Sequence, residues 1–160
     1  MTPPAEHLPV FVYGTLRPGE RNHATYLRGR ITSTTPACLQ HTLLYDGPGY
    51  PYAVETTELA LVHGDLITPI PAEYESLLAA LDHLEDYSPG DPRNLYERVV
   101  REVRCEDGTR RRAWVYVAAP GLAARLRATG LPLPEGRWPV SARPSDIPAR
   151  PAFEDEREAR

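Results

Sequence analysis

The residues best suited to chemistry near the start of the chain form a loop after an apolar stretch. Residues 9–12 favour a β-strand that runs into Tyr13, and Gly14, Thr15 and Leu16 follow. The glycine removes the Cβ that would keep a ligand away from the main chain, and the two residues after it carry backbone N–H groups that can converge on an anion or a carbonyl oxygen. The same pattern is typical of a simple strand-to-loop turn, so that alternative stays open.

A second candidate is Glu85, an acid near the end of a predicted amphipathic helix. At about 100° per residue its side chain falls on the apolar face, whereas Asp82 and Asp86 are expected to point away from a site there. That face holds Tyr74, Leu77, Leu78, Leu81 and Leu84. Burying a lone carboxylate is costly, so Glu85 must be paired, partly solvated in a cleft or shifted in pKa. One reading is an ion pair with Arg98 or Arg93 at the helix end.

Other catalytic patterns find no support in the residues. The five histidines show neither HxH nor HExxH spacing, so we expect no metal site. All 18 basic residues are arginine, which excludes lysine Schiff-base chemistry and the P-loop lysine. The serines lack a GxSxG elbow, and Cys38 and Cys105 have no CxxC spacing and no neighbouring base. We therefore expect no cofactor and no covalent catalysis.

The elements that must position these residues alternate between strands and helices. Asn22 is expected to cap a short helix from His23 to Arg28 that Gly29 ends. Pro71 suits the first turn of the helix that carries Glu85, and Gly64 is expected to bend the strand before it. The predicted strands are 9–13, 31–46, 52–54, 58–68, 95–105 and 110–118, and the later helices are 72–86 and 122–128. This order predicts an α+β domain with a mixed sheet curled towards a small barrel.

Size and composition indicate one domain at 9–130, after a tail at 1–8 and before a proline-rich extension at 131–160 that should wrap the surface or be disordered. The net charge of −4, with 18 basic residues interspersed among 22 acidic ones, argues against a nucleic-acid partner. No signal-peptide pattern and no apolar run of about 18 residues is found, so we expect a cytoplasmic protein without a membrane partner, monomeric or homodimeric.

The ordered set of motifs resembles the γ-glutamylcyclotransferase-like family, in particular its γ-glutamylamine cyclotransferase and AIG2-like branch. The resemblance covers roughly residues 9 to 118, with Gly136-x-Trp138 as a family-like ending. It rests on Tyr13-Gly14-Thr15-Leu16, Pro18-Gly19, Asn22-His23, Tyr45-Asp46-Gly47, Tyr50-Pro51, Leu84-Glu85 and Tyr96-x-Arg98. It departs in Arg17, where that branch usually has lysine, and in a long proline-rich insertion at residues 88–94.

The resemblance implies a small barrel with helices outside it, a pocket at one end, and cyclisation of a γ-glutamyl amide to 5-oxoproline with release of an amine. Glu85 matches the position of the family's general base and would act as general acid and base, with a pKa raised by its apolar setting. Backbone groups of residues 14–16 would hold the substrate. Tyr96 would line the pocket and Arg98 would pair with a carboxylate, with simple strand residues as the alternative for both. Tyr13 would be either a wall or a hydrogen-bond donor.

Two other readings stay open at this point. A binding module would hold a γ-glutamyl-like or other small anionic ligand without turnover, because a fold does not by itself imply an activity. A purely structural or dimerising domain would fit the proline-rich end of the chain but would leave the loop and the acid without a role. The identity of the released amine cannot be predicted, because loops build that half of the pocket.

Overall fold

The computed structural model describes residues 7–138, which form seven strands and three α-helices. The strands are β1 (Val10–Val12), β2 (Ile31–Gln40), β3 (Thr42–Asp46), β4 (Pro51–Glu55), β5 (Leu61–Pro69), β6 (Tyr96–Cys105) and β7 (Arg110–Ala118). The helices are α1 (Arg21–Tyr26), α2 (Tyr74–Leu84) and α3 (Pro120–Thr129), and a 3₁₀ turn at Pro71–Glu73 leads into α2.

Five strands close into a barrel in the order β1, β5, β2, β6, β7. Neighbouring strands are antiparallel except at the closure, where β1 meets β7 in parallel through Val10 and Trp114. β3 and β4 form a separate two-stranded antiparallel sheet. The α+β class with a small mixed barrel, predicted from the order of elements, is confirmed.

Alternation along the strands builds two apolar clusters, one on each side of the barrel wall. Phe11 belongs to the inner cluster, whereas its neighbours Val10 and Val12 belong to the outer one, as the period of two along a strand requires. The inner cluster includes Leu39, Leu66, Val103, Ala113, Val115 and Val117. The outer cluster contains Leu77, Leu81 and Leu84 of α2, so this helix packs on the outside of the barrel.

α2 confirms the predicted helix and refines its ends. Pro71 begins the 3₁₀ turn rather than the α-helix, and regular helix runs only from Tyr74 to Leu84. Glu85 is the C-cap residue, and Asp86 leaves the helix in the left-handed region at φ 57°. The predicted strands 95–105 and 110–118 and the helix at 122–128 are found at nearly the predicted bounds.

Two local predictions are wrong. Asn22 is not the N-cap of α1, because that helix begins at Arg21 with Glu20 as its cap residue, and Asn22 is buried. The stretch 31–46 is not one strand, because His41 has φ 55° and separates β2 from β3. The break sends β3 into the second sheet, so the two strands belong to different layers.

Residues 131–138 cross back over the body of the domain. The Leu133 N–H donates to the Leu44 carbonyl (2.7 Å), and the Trp138 indole N–H donates to Asp46 (3.1 Å). Gly136, at φ 65°, lies so close to the Leu61 carbonyl that no side chain would fit. This part of the predicted extension therefore packs on the domain, while the expectation for 139–160 and most of the tail at 1–8 lies outside the described residues.

Three further findings bear on function. Across residues 7–138, no helix is long and apolar enough to cross a membrane. The same part of the chain brings no group of three or more histidine, cysteine, aspartate or glutamate side chains into an arrangement that could hold a metal ion. Cys38 and Cys105 are not joined in a disulfide.

Candidate active site

A small cavity at one end of the barrel brings together most of the residues singled out by sequence. The loop after β1, the start of β4, the end of α2 and strands β6 and β7 all contribute to its wall. Its lining consists of Phe11, Val12, Tyr13, Gly14, Thr15, Leu16, Tyr50, Pro51, Glu85, Tyr96 and Tyr116. Six of the seven predicted site residues are in this lining, and the exception is Arg98.

The loop from Gly14 to Leu16 is held by its carbonyl groups. The Gly14 carbonyl accepts the N–H of Arg17 (3.1 Å), and the Thr15 carbonyl accepts that of Asn22 (3.0 Å). The Asn22 side-chain amide also donates to the Thr15 hydroxyl (2.9 Å), which explains why Asn22 is buried. Within residues 7–138 no acceptor is recorded for the main-chain N–H groups of residues 14–16. The loop therefore has a fixed shape and donors that remain available to a ligand.

Gly14 has a packing role that the sequence did not predict. Its φ lies outside the left-handed region, so backbone strain does not explain the glycine. A Cβ at this position would lie 2.8 Å from Cδ and 2.9 Å from Cγ of Pro51, another lining residue. The glycine therefore lets the loop and the start of β4 pack against each other at the cavity.

Glu85 reaches the cavity from the end of α2. Its N–H still donates to the Leu81 carbonyl (2.9 Å), so helix geometry fixes its position although it lies just beyond the last helical residue. The residue is 9% exposed. Burial raises the pKa of Tyr13 well above its usual range, and the negative charge of Glu85 adds to that rise. The negative charge of Glu85 is thus close enough to affect the hydroxyl of Tyr13, another lining residue.

The tyrosine hydroxyls around Glu85 are anchored to fixed partners. Tyr13 donates to the carbonyl of Tyr116 and accepts from the N–H of Ala53 (3.3 Å). Tyr96 donates to the Pro51 carbonyl (2.7 Å). The rings of Tyr96 and Tyr50 also pack together, with their centroids 6.4 Å apart. A buried phenol needs a partner for its proton, and these bonds satisfy that need while fixing the wall.

Arg98 is held outside the cavity lining by Asp82. Its guanidinium donates to both carboxylate oxygens, from Nε at 2.8 Å and from Nη2 at 3.2 Å. Asp82 also accepts the hydroxyl proton of Tyr116 (2.7 Å). Asp82 is not among the lining residues, but it contacts one of them, a contact that its expected direction on the helix did not predict. Asp82 and Glu85 are three residues apart and are therefore neighbours on the surface of the helix.

The two arginines considered as ion-pair partners of Glu85 form salt bridges with other acids. Arg98 pairs with Asp82 as described, and Arg93 pairs with Asp91 (2.9 Å) on the exposed insertion after α2. Neither arginine lines the cavity.

Sequence reasoning missed five lining residues: Phe11, Val12, Tyr50, Pro51 and Tyr116. Tyr50-Pro51 had been used only as a motif. A signal for Tyr116 was available in the alternation of β7, where Val115 and Val117 face the inner cluster and Tyr116 faces the other side. The alternation alone does not predict at which end of the barrel the Tyr116 side chain lies.

A larger hollow lies elsewhere, but its chemistry is less specific. It occupies about 580 Å³ between the starts of β3 and β5 and residues 133–136. Its lining includes His41, whose ring bonds the Glu58 carbonyl (3.0 Å), and the almost fully exposed Leu59. The tyrosine-lined cavity is much smaller, at about 30 Å³, yet it brings together the buried acid and main-chain N–H groups that have no acceptor within residues 7–138. We assign the candidate site by that chemistry rather than by size.

Comparison with known proteins agrees with the resemblance. The family model for gamma-glutamyl cyclotransferase, AIG2-like proteins matches residues 10–140. A curated relative from Niallia circulans, gamma-L-glutamyl-butirosin B gamma-glutamyl cyclotransferase, is 38% identical over 109 residues. That alignment covers 68% of this chain and 65% of the relative, so the chain spans a little under two thirds of the relative's length.

Solved structures share the fold. An AIG2-like protein from Mus musculus superposes with a TM-score of 0.55 at 23% identity, covering 72% of this chain and 81% of the mouse chain. The solution structure of At3g28950.1 from Arabidopsis thaliana gives a TM-score of 0.53 at 30% identity, covering 69% and 61% of the two chains.

Proposed function

Because the chain belongs to the gamma-glutamyl cyclotransferase, AIG2-like family, we propose that it converts a γ-glutamyl amide to 5-oxoproline and a free amine. The observation that carries the proposal is the meeting, in one cavity, of Glu85 with main-chain N–H groups of residues 14–16 that have no acceptor in the described part of the chain. The Niallia circulans relative is named for a γ-glutamyl compound, gamma-L-glutamyl-butirosin B, which is consistent with the proposal.

The reaction needs no protein nucleophile, because the substrate supplies its own. The α-amino nitrogen attacks the δ-carbonyl carbon, a five-membered lactam forms, and the bond to the leaving amine breaks. The protein must accept a proton from the α-ammonium and deliver one to the leaving amine. Glu85 is the acid in the cavity that can do both. Holding the substrate in its folded shape contributes the proximity effect.

The loop donors would bind one oxygen of the substrate. Main-chain N–H groups fixed before binding stabilise negative charge without reorganising, which is the principle of an oxyanion hole. The carbonyl groups of this loop are already bonded to α1 and Arg17, so the donors have a defined direction.

The test is incubation with γ-glutamyl amines, γ-glutamyl amino acids and glutathione, with 5-oxoproline measured by mass spectrometry. We expect at least one member of the panel to yield 5-oxoproline and an equal amount of amine. Thermal protection by γ-glutamyl compounds without product would instead favour a binding module. Absence of both protection and product would favour a structural domain.

A further inference from the structure

The hydroxyl of Tyr116 donates its proton to a carboxylate that is not part of the cavity lining. It donates to Oδ1 of Asp82 at 2.7 Å, while Tyr116 is among the residues that line the cavity containing Glu85. A phenol has one proton to give and lone pairs that accept. With the proton directed at a carboxylate, the oxygen of Tyr116 can only accept hydrogen bonds from anything else it meets.

Arg98 prevents Asp82 from turning away. Its two hydrogen bonds to the carboxylate occupy both oxygens. The guanidinium also stacks over Trp114, with Cζ 4.2 Å from the ring centroid, and Trp114 donates its indole N–H to Tyr74 (2.9 Å). Stacked and bidentate arginine contacts are geometrically specific, so Asp82 has one stable orientation.

The substrate group that matches a pure acceptor is an ammonium. An ammonium carries only donors, and the proposed reaction starts from one that must give a proton to Glu85. A second acceptor beside Glu85 would orient the same ammonium through another of its N–H groups. Tyr116 lies within the electrostatic reach of Glu85, whose charge contributes to its raised pKa after burial and the bond to Asp82.

We propose that Asp82, locked by Arg98, is a positioning residue that makes the Tyr116 hydroxyl an acceptor for the α-ammonium of a γ-glutamyl substrate. This inference rests on the proposed function for its choice of ligand. It also replaces the expected role of Arg98, whose guanidinium serves Asp82 rather than a substrate carboxylate.

The test compares two ligands that differ only in the α-ammonium, L-glutamine and its des-amino counterpart glutaramate. Binding to the parent protein and to Asp82→Asn is followed by NMR chemical-shift titration. We expect Asp82→Asn to weaken L-glutamine binding about tenfold, the scale of one hydrogen bond to a charged group, and to leave glutaramate binding unchanged. Asp86→Asn, on the exposed residue after Glu85, is the matched control and should bind both ligands like the parent.

A double-mutant cycle separates positioning from general damage to the fold. In a Tyr116→Phe background the hydroxyl is gone, so Asp82→Asn should have no further effect on L-glutamine affinity. Equal losses for both ligands, or the same loss with and without the hydroxyl, would overturn the proposal, as would failure of the parent to prefer L-glutamine. If the parent shows that preference but forms no 5-oxoproline from any amide, the proposed function fails while the positioning role stands.

Discussion

The inside of the barrel and its tyrosine-lined end are both buried but are built on different principles. The inner cluster around Leu39, Leu66 and Val103 is held by close packing of apolar side chains. At the cavity, the buried phenols of Tyr13 and Tyr96 each have a directional bond to a main-chain carbonyl. Packing tolerates exchange of one apolar shape for another, whereas a hydrogen bond fixes an atom in place. The inside should therefore set stability, and the end should set turnover.

The largest effect on turnover should come from Glu85→Gln. The amide keeps the shape of the side chain but cannot accept the proton, and loss of a general base typically costs about 10²–10⁴ in rate. The measurement is 5-oxoproline formation, with circular dichroism to confirm the fold. A folded variant that forms 5-oxoproline at near-parent rates would show that Glu85 is not the general base. The proposed division between a barrel interior that sets stability and an end that sets turnover would then fail.

Gly14→Val should have the next largest effect. Its branched side chain would meet Pro51, because even a Cβ at this position would lie 2.8 Å from the proline ring. We expect kcat/KM to fall by at least about tenfold, the effect of roughly 1.4 kcal/mol of lost transition-state stabilisation. Thr15→Ser is the control, because it keeps every main-chain N–H and the hydroxyl that Asn22 binds. Similar activity of the Val variant and the parent would show that this contact does not shape the site.

Leu39→Ala should lower stability while leaving turnover nearly unchanged, the opposite of the variants at the cavity. Leu39 is buried in the inner cluster, and truncating such a side chain typically lowers the free energy of unfolding by about 2–5 kcal/mol. Rates measured below the melting transition should stay within about twofold of the parent, because the cavity walls are held by their own hydrogen bonds. Urea unfolding and steady-state kinetics provide the two measurements. A large rate loss here would mean that the two regions are mechanically coupled.

The smallest expected effect is a change in stability at alkaline pH. Burial raises the pKa of Tyr13 and Tyr116 well above the usual value of about 10, so both phenols stay protonated in the folded protein. Unfolded tyrosines lose their protons near pH 10, which stabilises the unfolded state. Their contribution to stability is therefore complete below about pH 10 and is lost as pH rises further. Urea midpoints between pH 8 and 11 should fall more steeply for the parent than for Tyr13→Phe.

Patterns within one element were enough to predict much of the site. The apolar strand ending at Gly14 and the apolar face ending at Glu85 are local features, and the structure brings them into one cavity. The break at His41 was missed because a left-handed residue in a β-favouring run leaves no mark in composition. The role of Asp82 was missed for another reason. Its partner Tyr116 is on β7, so the contact exists only through the packing of α2 on the barrel.

The crossing segment at residues 131–138 has a consequence for the protein while it is being synthesised. Trp138 bonds to Asp46, 92 positions earlier in the chain. At about 5–20 residues per second, translation needs on the order of ten seconds to supply that partner. Until then the β3–β4 hairpin lacks its contacts with residues 131–138. A hairpin of two strands alone is only marginally stable in water. On the ribosome, this hairpin therefore stays without these contacts until residues 131–138 have been made.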